Sequence, residues 1–274
     1  SHVYSEDGMT LTDLNHIIHR HSHVYSEDGM TLTDLNHIMR GLKHYPTDSW
    51  CEVIPTILCC SLALESVAKP TNGPHVVNTV CPLRAGIANI LNIVMVISDQ
   101  RLDRVINEDL LELIGKLSEQ LLSLVSLVES SESSHRCELP GNSNDFGVWL
   151  SCLKNMPSNE KEVLLFVASL CKLHQCFPED LCGIASSVDI MRMFETVEHL
   201  NPYQSTEVYD LYEILYDITE QYVSSNKEIS FLDYQHVKAI LRSHKVTDSA
   251  KIDNPVQVTS LIENILRTLH SRTF

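Results

Sequence analysis

The chain has 274 residues, 43% of them apolar, and its 36 acidic side chains against 20 basic ones leave a formal charge of -16. That apolar share excludes a disordered chain, and the charge, with no basic stripe to offset it, excludes a direct reader of phosphate backbones. Few glycines, many leucines and few aromatic residues favour helix. The acidic surplus suits a basic protein partner reached by electrostatic steering, and it serves solubility as well.

Ser1–Ile17 reads SHVYSEDGMTLTDLNHI, and Ser22–Ile38 repeats it without a change. In each copy Thr10 or Thr31 stands three residues before Asp13 or Asp34, a capping box with Asp in place of Glu. Leu11, Leu14, Ile17 and Ile18 then follow at helical spacing, as do Leu32, Leu35, Ile38, Met39 and Leu42. Natural solenoid repeats diverge while keeping their pattern, whereas this identity is complete and then ends abruptly. It reads as a recent duplication or an artefact of assembly or splicing. Residues 1–21 therefore carry no functional weight, and the fold is expected to begin with the second copy.

Trp50–Ala68 continues as a helix with Pro55 in its opening turn, and Lys69–Pro74 closes it. Val76–Ser98 follows, interrupted near Pro82. Within it AGIANILNIVMVIS (Ala85–Ser98) is the most apolar run, too short for a bilayer and broken by Asn89 and Asn92, so it reads as a buried helix. The opening residues do not read as a signal peptide, and none is expected. Nine cysteines, an odd number set mostly in apolar helical runs, read as reduced thiols of the nucleus or cytoplasm.

Asn107–Glu129 carries the clearest helical signal. Leu110, Ile114, Leu117, Leu121, Leu124 and Val128 form a seam, which Leu111, Leu113, Leu122, Val125 and Leu127 widen. That breadth points to a buried central helix rather than an intermolecular coil. Ser130–Asp145 is polar and rich in helix breakers. The expected organisation is an N-terminal helical half over 22–130, a loop or hinge over 131–145 and a C-terminal helical half over 146–274.

Helices are expected over Phe146–Met156, Glu160–Cys176, Glu179–Leu200, Thr206–Val223, Phe231–Ser243 and Val256–His270. Ser158, Pro178, Ser205 and Asn254–Pro255 mark four of their starts. The fold class is all-α: stacked antiparallel helices, with an α-solenoid of the HEAT or armadillo kind preferred over a closed bundle.

Metal chemistry has one candidate, CKLHQCFPEDLC, with Cys171, His174, Cys176 and Cys182. Zinc needs four converging soft ligands, and here the side chains fall on different helical faces and on two sides of Pro178. Core thiols with one histidine is the preferred account. His16, His19, His21 and His23 lie at the duplicated junction and carry no weight. SSNKEISFLDYQHV (Ser224–Val237) has the outline of half an EF-hand, with Ile229 and Asp233 in register. Tyr222, Ser224, Asn226 and Lys227 stand where carboxylates and glycine belong, so a helix–loop–helix joint without calcium is expected. Phosphate-cradling glycine loops, GxSxG elbows and HExxH pairs are absent. The expectation is no enzyme, no cofactor and no small-molecule substrate.

The segment TEVYDLYEILYDITEQY (Thr206–Tyr222) holds the candidate site. Leu211, Ile214, Leu215 and Ile218 form its core stripe. Asp210, Glu213, Asp217 and Glu220 recur as an acidic ridge, with Tyr209, Tyr212 and Tyr216 beside it. Tyrosines next to carboxylates suit a Lys- or Arg-bearing helix or peptide through cation–π contact and ion pairing. The functional expectation is a non-enzymatic interaction scaffold, an intracellular subunit of a hetero-oligomer, with no membrane and no nucleic-acid contact. The alternative is a helical enzyme or zinc-dependent regulator whose site forms no motif.

Overall fold

Apolar residues spaced three and four apart decide which segments wind into helices and which faces those helices bury. The computed structural model describes residues 82–98, 106, 108–130, 146–177 and 183–274. Both copies of the N-terminal repeat, Trp50–Ala68, the 131–145 hinge, and Cys51, Cys59, Cys60, Cys81, Cys137 and Cys182 lie outside the described residues. The chain divides into two compact units, Ser1–Asn144 and Asp145–Phe274.

In the first unit, α1 spans Pro82–Ile97. Pro82 is its first described residue, where proline's fixed φ suits a first turn and its missing N–H is not needed; the Val76–Cys81 part of the expected helix lies outside the described residues. Ile87, Ala88, Ile90, Leu91, Ile93, Val94 and Ile97 are all buried, which takes in most of the helix circumference. Helix α2, Glu108–Ser130, packs against α1. Leu110, Ile114, Leu117, Leu121, Leu124 and Val125 are buried along one stripe. Leu111, Leu113 and Leu122 are only half-buried, and Glu112, Lys116 and Glu119 form an exposed face on which Lys116 pairs with Glu112 at 3.2 Å. The helix expected to be a buried central one is thus amphipathic over its described residues. Its extra leucines cover the shoulders of the stripe, and charges three and four apart keep the remaining face in water.

The second unit begins with α3, Phe146–Ser151, which tightens into a 3-10 turn over Cys152–Asn155. Trp149 is fully buried there, with Phe146 edge-on at 5.9 Å between ring centres. Helix α4, Lys161–Cys176, starts from Glu160 without a side-chain cap, so Ser158 is not its start signal. Helix α5 is short, Ser187–Thr196, where the sequence suggested one helix over Glu179–Leu200. Gly183 sits at φ 84°, and the Asp189 carboxylate accepts the N–H groups of Ala185 and Ser186 at 2.9 and 3.1 Å. The Ser186-x-x-Asp189 pattern is the true start, a capping box that the apolar pattern around it conceals.

Helix α6 spans Thr206–Ser224, α7 Phe231–Ser243 and α8 Pro255–His270. Their caps are Ser205, Ser230 and Asn254, whose side-chain oxygens accept N–H bonds from Val208, Asp233 and Val256 at 3.2, 3.1 and 3.2 Å. Ser205 is itself buried. Ser205→Ala is expected to lower stability by about 1 kcal/mol in a denaturant titration, with Ser205→Thr retaining most of it. An unchanged midpoint for the alanine variant would remove the cap from the account.

Helix α6 is the hub of this unit, packed against α4, α5 and α8. Helix α7 packs on α5 and α8, and α3 on α4 and α5. The described residues are all-helical, and among them the β pairing is one isolated bridge, Ile229 to Thr273. The α6–α7 connection is a tight helix–loop–helix joint with Asn226 at φ 58°. None of the described helices is long and apolar enough to cross a membrane.

Candidate functional site

A helix advances about 100° per residue, so position on α6 decides what each side chain meets. Val208, Leu211, Ile214, Leu215, Ile218 and Val223 face the neighbouring helices and are buried. Asp210, Glu213, Asp217 and Glu220 fall on the opposite sector and are exposed. Tyr209 and Tyr216, about 20° apart in projection, stand at its edge and are half-buried.

Tyr212 does not belong with them. It lies about 60° further round than Tyr209, beyond the edge, and is fully buried. Its hydroxyl is shared between the carbonyls of Val197 and Leu200, both at 3.1 Å, and its oxygen lies 3.1 Å from His244 Nε2. Of the seven residues expected to meet a partner, Tyr212 is therefore corrected to a core residue. A three-residue step along α6 rotates the side chain far enough to cross from surface to interior.

The structure adds a wall that the sequence reading missed. A groove of about 480 Å³ runs between α6 and α8. Its α6 side is Tyr209, Glu213, Tyr216 and Asp217. Its α8 side is Val256, Gln257, Ser260, Leu261 and Asn264. Leu261 is buried, while Val256 is 70% exposed. Gln257, Ser260 and Asn264 recur at steps of three and four, a spacing visible in the sequence. Which helix would face them was not.

The electrostatics of the groove are one-sided. Among the described residues no cation lies within ion-pair distance of Asp210, Glu213, Asp217 or Glu220. Partial burial and the neighbouring charges of Glu213 and Glu207 raise the Asp210 carboxyl above the usual carboxylate range. Partial burial, Glu220 and Glu213 do the same to Asp217. Burial, a hydrogen bond to Glu213 and the charges of Glu213 and Asp210 push the Tyr209 hydroxyl up to about 12, so at neutral pH it stays protonated and donates.

Of the metal-like segment, Cys171, His174 and Cys176 lie on α4. Cys171 is buried on α4, and its thiol is pushed up to about 12 by burial first and then by Asp210, Glu207 and Glu213. A thiol held protonated in this way is a poor nucleophile. The His174 ring lies 5.1 Å from that of Phe146, and burial lowers its basicity. Cys182 lies outside the described residues. Among the described residues no three His, Cys, Asp or Glu side chains are grouped to hold a metal ion. In the EF-hand-like segment the Asp233 carboxylate accepts the Ser187 hydroxyl, and Lys227 sits over the Tyr222 ring at 5.2 Å.

The arrangement is an open, acidic, tyrosine-edged groove on an all-helical unit. Comparison with protein-family models, curated proteins and solved structures finds no match for this chain.

Proposed function

We propose that this chain is a non-catalytic protein–protein interaction scaffold, an α-helical subunit of a larger intracellular complex. Its partner is a basic protein, held along the α6–α8 groove by ion pairing to the acidic ridge and by contact with the Tyr209 and Tyr216 rings. The proposed architecture is a solenoid-like stack of antiparallel helices, in which successive elements extend a surface rather than close around a site. Nucleus or cytoplasm is the proposed setting.

The observation that carries this reading is the row of exposed carboxylates with no partner cation among the described residues, beside half-buried tyrosines and an open groove. Like charges held together at a surface raise the free energy of the unbound protein. A cationic partner relieves that repulsion, so the charges favour association more than they favour the fold.

The test is a tagged pull-down from cells with mass spectrometry. The wild-type chain is compared with one in which Asp210, Glu213, Asp217 and Glu220 are all lysine. A stoichiometric basic partner, lost from the reversed chain while helicity is unchanged, supports the scaffold and its surface. A partner retained by both moves the surface elsewhere, and no partner at all overturns the reading.

One substitution separates binding from folding. The raised native pKa of Asp217 means that the folded state takes up its proton more readily than the unfolded chain. Its contribution to stability therefore falls as pH rises through the carboxylate range. Asp217→Asn is expected to leave thermal stability unchanged or raise it by a few tenths of a kcal/mol, since the group is largely exposed, while weakening the partner. A clear loss of stability would assign the carboxylate to the fold instead.

A further inference from the structure

Resting on the scaffold reading above, we infer that the α6–α8 groove takes an extended peptide segment with Lys or Arg at alternate positions, rather than the face of a helix. Three independent features of the groove point to that occupant.

The first is its length. The groove has a volume of about 480 Å³, and from Tyr209 to Asp217 its α6 wall rises roughly 12 Å, about the span of an extended segment of four residues.

The second is the spacing of the charges. Glu213 and Asp217 are four residues apart on α6, about 6 Å along its axis. Alternate side chains of an extended chain point to the same side about 6.7 Å apart. Two cations at i and i+2 therefore meet both carboxylates at once, while the intervening side chain points away. Tyr209 stands one turn before Glu213 and Tyr216 lies between the two acids along the helix axis, and both rings can cover methylene stems.

The third is the chemistry of the opposite wall. Gln257, Ser260 and Asn264 line it with neutral hydrogen-bonding side chains. Asn264 Oδ1 accepts a bond from Arg267 at 3.3 Å, which leaves the Asn264 N–H groups as donors. A helix satisfies its own backbone and makes little use of such a wall. An extended peptide presents an N–H and a C=O at every residue and needs partners for them.

Titration of the full chain with two fluorescein-labelled peptides of equal charge tests this, read by fluorescence anisotropy. One has two lysines separated by a single valine and flanked by prolines, which prevent a helix. The other is a stapled, alanine-rich helix with two lysines four apart. The extended peptide is expected to bind at least about tenfold more tightly. Gln257→Ala with Asn264→Ala is expected to weaken it about fivefold to tenfold and to leave the stapled helix unaffected. Equal or tighter binding of the helix overturns the inference, as does an extended peptide indifferent to the double alanine variant. Absence of binding by both peptides up to about 1 mM overturns it too. The scaffold reading is judged separately by the pull-down, so a helical partner lost on charge reversal would leave it standing.

Discussion

Replacing Tyr212 by alanine is expected to destabilise the protein by about 3–5 kcal/mol, enough to unfold the Asp145–Phe274 unit at modest denaturant concentrations. The side chain is fully buried, its ring centre 6.4 Å from that of Phe194 and 5.7 Å from that of His244. Its hydroxyl joins three elements: the turn after α5, through the carbonyls of Val197 and Leu200; α6 itself; and the end of α7, through His244. Because the hydroxyl proton goes to the carbonyls, His244 Nε2 supplies the proton of the third contact. Tyr212→Phe keeps the packing but removes the hydroxyl from the Leu200 carbonyl and His244, while the Val197 carbonyl keeps the Leu200 N–H at 2.9 Å, so a loss of about 1–3 kcal/mol is expected from it. Tyr209→Phe, one turn away at the groove edge, is expected to stay within about 0.5 kcal/mol of the wild type. Denaturant titrations of the three variants decide the matter. An alanine variant within 1 kcal/mol of the wild type would return Tyr212 to the surface.

Acid is expected to loosen the same region. Burial lowers His244 to about 4, and it also lowers His174 and His199. Between that value and the ordinary 6.5 the unfolded chain takes up a proton that the native His244 refuses. Unfolding is therefore favoured as pH falls, and the contribution present above pH 6.5 is lost progressively towards pH 4. For His244 alone the loss is on the order of 3 kcal/mol. His244→Gln keeps an N–H donor for the Tyr212 oxygen and does not titrate. Its denaturation midpoint is expected to fall much less than that of the wild type between pH 7 and pH 5. The raised Asp210 and Asp217 carboxyls act in the opposite sense, but both groups are exposed. A wild-type midpoint that does not move over this range would show that His244 is accessible to protons in the native state.

Much of the helical architecture was legible because local rules decide it. Ser205 and Asn254–Pro255 carry their caps in the sequence, and α6, α7 and α8 begin within a residue of the expected positions. The seam of α2 is buried from Leu110 to Leu124 as its spacing requires, while Val128 near the helix end is half-buried. The error over Glu179–Leu200 has a local cause as well. Apolar periodicity near Ile190 and Phe194 was extended backwards past Ser186 and forwards past Thr196, although Ser186-x-x-Asp189 was there to be read.

The candidate site divides along a different line. Asp210, Glu213, Asp217 and Glu220 were placed on one exposed sector by spacing alone, since like charges at steps of three and four share a face whatever lies behind them. Tyr212 was misplaced because tyrosine is amphipathic. Whether it lies at a rim or in a core depends on where the neighbouring helices stand, not on the residue. The α8 wall was invisible for the same reason. Gln257, Ser260 and Asn264 lie roughly forty to fifty residues beyond Glu213 and Asp217, and only packing against α6 brings them opposite.

From its sequence alone the chain is all-helical where it is described, acidic and provided with a ridge of carboxylates on one helix, because helix periodicity, capping and charge act over a few neighbouring residues. Tertiary structure alone decided that the ridge borders a groove, that Tyr212 is interior and that Cys171 is a buried, protonated thiol. Each of those depends on contacts between helices distant in sequence, and no local pattern encodes which faces will meet.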